Sequence, residues 1–158
     1  MRAIAEYSFT PLTQAGAEEI AGWRYPEPFS FYDWTEDADD LAELLDPSLR
    51  GDSYYAAEDE SGELIGYFSF RREDPQVVKI GLGLRPDRTG LGLGSTFLEA
   101  GLAYARSRFQ PAEFVLAVAT FNTRAMTVYE RVGFRPSRVF MHWTNGGEWE
   151  FVEMRRPA

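Results

Sequence analysis

A strand that runs into a glycine loop is the tightest constraint on how this chain folds. Val77 to Leu84 places Val78, Ile80, Leu82 and Leu84 on one face, the period of a β-strand. Leu82, Gly83 and Leu84 then lead through Arg85-Pro86-Asp87-Arg88 into Thr89-Gly90-Leu91-Gly92-Leu93-Gly94-Ser95. Phe97, Leu98, Gly101, Leu102 and Ala105 follow at helical spacing. Phe114-Val115-Leu116-Ala117-Val118 is a continuous apolar run, as in a strand covered on both faces. Strand, helix and strand in this order predict a right-handed parallel crossover.

The rest of the sequence supplies partners for that unit. An opening strand is expected from the alternation around Ala3 to Phe9. Thr13 is placed to cap a helix reaching Trp23, with Leu12, Ala17, Ile20 and Ala21 inward. Residues 24–34 form an aromatic loop carrying Tyr25, Phe29, Phe31, Tyr32 and Trp34, and Asp37 to Leu45 reads as a second helix stopped by Pro47. Ser53 to Ala57 and Leu64 to Arg71 flank Asp59-Glu60-Ser61-Gly62, a hairpin signal. Asn122 is expected to cap a helix ending at Gly133, and Asn145-Gly146-Gly147 joins strands from Arg135 to Trp143 and from Trp149 to Met154.

Bulk properties narrow the function. The length of 158 residues predicts one domain over residues 1–158, and 44% hydrophobic with 15% aromatic residues predicts a packed core. A net charge of −9 argues against a nucleic-acid partner. There is no cysteine, which removes disulfides, a thiolate nucleophile and a thiolate metal site. Met1 to Glu6 lacks the apolar run of a signal peptide, and no segment has the ~20 apolar residues of a spanning helix, so no membrane association and a cytoplasmic location are expected.

The glycine loop has the chemistry of an anion cradle. Loop and first-turn N–H groups converge, the helix dipole favours negative charge, and glycine permits positive φ and close approach. A Walker loop would carry lysine before Ser95, and Gly94 stands there instead. A dinucleotide fingerprint would place an acidic residue at the end of the next strand, whereas Glu113 precedes it.

A second segment narrows the choice: Asn122-x-x-Ala125-x-x-x-Tyr129-Glu130-x-x-Gly133-Phe134. Asn122 and Tyr129 lie two helical turns apart along one side. Together with the upstream strand–Gly-x-Gly-x-Gly–helix, this segment resembles the GNAT superfamily of acyl-CoA-dependent N-acetyltransferases over roughly residues 53–154. The resemblance implies a mixed, mostly antiparallel twisted α/β (α+β) sheet with a central parallel pair and helices on both faces. It implies acetyl-CoA as co-substrate, with no metal, and a small-molecule or peptide amine as acceptor; a homodimer is a further expectation. It assigns the CoA pyrophosphate to Thr89, Gly90, Leu91, Gly92, Leu93, Gly94 and Ser95. The pantetheine arm and thioester fall to Leu82, Gly83 and Leu84, with Asn122 beside the arm and Tyr129 as the acid for the leaving thiolate.

Two positions depart from the family pattern. Thr89 stands where an arginine or glutamine is usual, with Arg88 beside it. Ala117 stands where several relatives carry a glutamate base, which leaves Glu73, Asp33, Asp52 or water as candidates and an acyl-CoA sensor without efficient transfer as the alternative. His142, the one histidine, is expected to pack or face solvent, and Arg124 and Arg131 to lie on a solvated helix face.

Overall fold

The computed structural model describes residues 6–158. Strands β1 (Ser8–Pro11), β2 (Tyr54–Glu58), β3 (Leu64–Asp74), β4 (Val77–Leu84), β5 (Glu113–Ala119), β6 (Arg135–Thr144) and β7 (Gly147–Pro157) form one sheet in the order β1-β2-β3-β4-β5-β7-β6. Every neighbouring pair is antiparallel except β4 and β5, which are parallel. This is the mixed, mostly antiparallel sheet with a central parallel pair that the family resemblance implies. The helices are α1 (Gln14–Ala21), α2 (Ala38–Leu45), α3 (Pro47–Arg50), α4 (Gly94–Phe109) and α5 (Thr123–Arg131).

Alternation within the strands puts helices on both faces. On β2, Tyr54 and Ala56 pack with Ala17, Ile20 and Leu44 of α1 and α2. Tyr55 and Ala57 point the other way, into the core with Phe97, Leu98 and Leu102 of α4. Val132 and Phe134, which follow α5, join that second core, as does the partly buried Tyr129. The period of two in a strand separates the layers.

Local chemistry sets the helix ends. Thr13 accepts the Gly16 N–H and starts α1, which ends at Ala21, two residues before the expected stop. Asp37 accepts the N–H groups of Asp39 and Asp40 and starts α2. Pro47 does more than stop a helix: it occupies the first turn of α3, capped by Asp46, where a missing N–H costs nothing. Arg50 is buried and donates to Gln14 Oε1 and Leu44 O, joining α1 to α2. The opening strand begins later than expected, at Ser8, and the expectation for residues 1–5 lies outside the described residues. The aromatic loop folds into two 3₁₀ turns, Phe29–Tyr32 and Trp34–Glu36.

The most consequential feature is a gap. β4 and β5 pair only at Val77↔Glu113, Val78↔Phe114 and Lys79↔Val115. Beyond this seam β4 stays paired with β3 up to Leu84, and β5 stays paired with β7 up to Ala119. The sheet therefore opens at its centre. Among the described residues, no helix is long and apolar enough to cross a membrane.

Candidate active site

The central opening is the floor of a cleft of about 390 Å³. Ile80 to Leu84 of β4 form one side, and Leu116, Ala117 and Val118 of β5 the other. Arg85 N–H donates to Ile65 O at 2.8 Å, and bonded pairs alternate along an antiparallel ladder. With Leu84 opposite Gly66, the N–H and C=O groups of Leu82 and Leu84 consequently face away from β3, into the gap. Those of Gly83 turn back to β3. Gly83 has a steric role as well, because a Cβ there would sit 2.5 Å from the Tyr67 ring.

The glycine loop lies at the rim, and Thr89 is its contribution to the lining. Gly90 and Gly92 have φ of +73° and +76°, the left-handed region that favours glycine, and no atom lies within 4 Å of where their Cβ would be. A Cβ on Gly94 would meet Val128 at 3.2 Å, so this glycine lets α4 approach α5. Leu93 precedes α4 without a side-chain cap, which leaves first-turn N–H groups available to an anion. The Thr89 hydroxyl donates to Pro86 O at 2.8 Å. Arg88 is turned to Asp59 and Glu63, at 3.4 Å from each. With both side chains engaged elsewhere, an anion at this loop would meet backbone donors.

Asn122 serves two elements at once. Its Oδ1 accepts the Ala125 N–H at 3.1 Å, capping α5, while its Nδ2 donates to the Tyr32 hydroxyl at 3.1 Å. Asn122→Ala removes the cap and the tie to the aromatic loop together. It is expected to cost about 1 kcal/mol, a fall in Tm on the order of 2–4 °C, read by thermal melting. An unchanged Tm would show that the cap contributes nothing.

Tyr129, further along the same side of α5, lines the cleft. Its ring meets Phe134 at 6.3 Å between centroids. Its hydroxyl has no hydrogen-bond partner among the described residues. Burial, and secondarily the nearby Tyr32, push that hydroxyl above its usual pKa, so it stays protonated near neutrality.

The aromatic loop roofs the cleft: Tyr25, Phe29, Phe31, Tyr32, Asp33 and Trp34 all line it. Phe31 packs edge-on against Trp149 at 4.9 Å and Phe121 at 5.4 Å. The Tyr25 hydroxyl donates to Leu84 O at 2.6 Å, and Asn145 Nδ2 donates to Phe31 O at 2.8 Å. Sequence reasoning left open whether this loop walls a pocket, and the loop does line one.

Of the three candidate carboxylate bases, the cleft takes one. Asp33 lines the cleft and is 8% exposed. Glu73 is exposed, 3.8 Å from Lys79, and Asp52 is also exposed; neither lines the cleft. Ala117 lines it from β5 and supplies no carboxylate. Asp37 and Asp40 also line it and were missed as site residues, because only the way the start of α2 packs against the sheet carries them there. His142 faces solvent and packs edge-on against Phe151 at 5.0 Å, as expected, but also reaches the cleft. Arg124 holds its guanidinium 3.9 Å from the centre of the Phe29 ring, also at the cleft.

Comparison with known proteins bears on this arrangement. The model of the acetyltransferase (GNAT) family matches residues 16–134. A mycothiol acetyltransferase of Salinispora tropica is 36% identical over 106 residues, which are 64% of this chain and 34% of that protein. An N-alpha-acetyltransferase of Sulfurisphaera tokodaii is 27% identical over 108 residues, 61% of this chain and 64% of that protein. The chain therefore spans about a third of the length of the first relative and less than two thirds of the second. Among solved structures, a spermidine N-acetyltransferase from Vibrio cholerae in complex with CoA and spermine is similar in fold. Its TM-score is 0.77 at 20% identity, covering 96% of this chain and 95% of that one.

Proposed function

Because the chain belongs to the GNAT acetyltransferase family, we propose that it transfers the acetyl group of acetyl-CoA directly to an amine. The observation that carries this reading is the gap between β4 and β5. It presents the outward-facing backbone of Leu82 and Leu84, with Leu84 O already held by Tyr25, beside an uncapped helix N-terminus and two left-handed glycines.

Acetyl-CoA fits these groups. A pyrophosphate needs converging N–H donors and room for its oxygens, and Thr89 to Ser95 provide both. An extended amide-bearing arm needs an open strand edge, and β4 has one. The bound co-substrate supplies an acyl group already activated as a thioester.

The chain's own groups then act in order. The N–H groups of Leu82 and Leu84 face the position of the thioester carbonyl and stabilise negative charge as it develops on the oxygen. The aromatic roof excludes water while a neutral amine attacks the carbonyl carbon. As the carbon–sulfur bond breaks, Tyr129 gives its proton to the sulfur. The extra proton on the new amide nitrogen leaves to water or to a carboxylate of the cleft. The chain has no cysteine, so no cysteinyl-acyl intermediate forms on it.

Gly92→Glu tests the cradle. It forces a side chain onto a φ of +76° and sets a carboxylate against phosphate. Acetyl-CoA affinity should fall by at least about 100-fold, equivalent to roughly 2.7 kcal/mol, with the melting transition retained. Calorimetric titration reads it, and a change below about threefold would remove the loop from the binding site. The alternative, a sensor that binds acyl-CoA without efficient transfer, rests on Ala117. Tight acetyl-CoA binding with no product across a broad amine and peptide screen would select it.

A further inference from the structure

Besides Leu82 and Tyr129, three carboxylates line the cleft, those of Asp33, Asp37 and Asp40. Asp37 is fully engaged. Its Oδ1 takes two N–H groups of α2, and its Oδ2 takes the Thr144 hydroxyl and the Asn145 N–H, each at 3.0 Å. The other two carboxylates are not. One oxygen of Asp33 accepts the Tyr25 N–H at 2.9 Å. The other has no hydrogen-bond partner among the described residues, yet it is not sealed from solvent, so this nine-tenths buried carboxylate opens onto the cleft.

Asp40 makes no side-chain hydrogen bond among the described residues. Burial, Asp37 and Glu43 raise its carboxyl above the usual range, against the opposing pull of His142. Arg124, the arginine at the cleft, stacks on the Phe29 ring and pairs with neither carboxylate. Two carboxylates thus line one cavity with the rings of Trp34 and Tyr54, and neither forms an ion pair among the described residues. Carboxylates that line a partly desolvated space favour a positive ligand, and aromatic faces add to that preference.

We propose that the carboxylate-lined part of the cleft is the acceptor subsite, and that Asp33 and Asp40 hold the distal ammonium of an alkyl diamine whose other amine is acetylated. The assignment rests on the transferase reading above and goes further by naming the acceptor's charge pattern. A simple monoamine leaves the two carboxylates unmatched. An amino acid brings a third negative charge to them. A diamine supplies the missing cation and keeps one nitrogen for the thioester.

The test uses α,ω-diaminoalkanes of increasing length, the matching monoalkylamines and the matching ω-amino acids. Acetyl transfer is followed by release of the CoA thiol, and binding of each amine is measured separately by calorimetry in the presence of CoA. The best diamine should exceed its monoamine in kcat/KM by about tenfold or more, with the ω-amino acid lowest. Asp40→Asn should bring diamine and monoamine to within about twofold. Asp33→Asn keeps an acceptor oxygen for the Tyr25 N–H and should act in the same direction. Equal use of monoamines and diamines by the native protein, or retention of the preference in both variants, overturns the proposal. Diamine binding that is lost in both variants, with no acetyl transfer to any amine, supports the subsite and removes the transferase reading.

Discussion

Tyr129→Phe is expected to lower kcat for acetyl transfer by about 10²–10³-fold and to leave acetyl-CoA affinity within about twofold. The substitution deletes one hydroxyl and keeps the ring that packs against Phe134. No hydrogen bond within the described residues is lost, so the change falls on the reacting atoms. Steady-state kinetics beside calorimetric titration of acetyl-CoA separate the two effects. Equal loss of turnover and binding would move Tyr129 from proton donation to ligand binding.

The pH profile provides a second check. A primary alkyl amine has a pKa of about 10, so the reactive neutral fraction rises about tenfold per pH unit below that value. The active form of Tyr129 is the protonated one. Its pKa is raised by burial and by Tyr32, so that form persists past the ordinary tyrosine value. The native rate should therefore climb with pH with no descending limb below about 10. A fall in rate on the alkaline side between about pH 8 and 9 would exclude Tyr129 as the proton donor.

The largest effect on folding is expected at Gly101, in the middle of α4. A Cβ there would lie 2.2 Å from Phe68 Cζ and 2.3 Å from Cε1. Phe68 has no room to yield: it is fully buried, parallel to Phe70 at 5.5 Å and 4.8 Å from Phe97. Gly101→Val therefore overpacks the core and forces α4 off the sheet, at roughly 2–4 kcal/mol, which outweighs the gain in helix propensity of under about 1 kcal/mol. The Tm should fall by on the order of 5–10 °C. A melt within about 2 °C of the native protein would mean that the core adapts around the added side chain.

Much of the fold is legible because its determinants are local. Val77 to Leu84 alternates with period two, Thr13 and Asn122 offer capping oxygens, and α4 shows its apolar face at helical spacing. Left-handed backbone at Gly90 and Gly92 is likewise implied by the residues themselves. Pro47 is ambiguous on local grounds, since the same missing N–H that ends one helix suits the first turn of the next. What resists reading is non-local. The length of the β4–β5 seam depends on how two strands separated by a whole helix splay. The choice among Asp33, Glu73 and Asp52 depends on which of them a loop carries under the roof. Tyr25, Asp37 and Asp40 show the same limit: their partners, Leu84, Asn145 and His142, lie far along the chain, and no short-range pattern announces such meetings.

The three-pair seam has a mechanical meaning. It joins a four-stranded ribbon, β1 to β4, to a three-stranded one, β5 to β7, and past Lys79 and Val115 no ladder holds the two ribbons together. On the proposed reading, an extended co-substrate arm along β4 is a borrowed strand that partly fills this fracture line. A ligand present at a hundredfold excess over its Kd adds about 2.7 kcal/mol to stability. Here that contribution lands where the fold is least braced, so the co-substrate would act as the keystone of the sheet as well as the source of its chemistry.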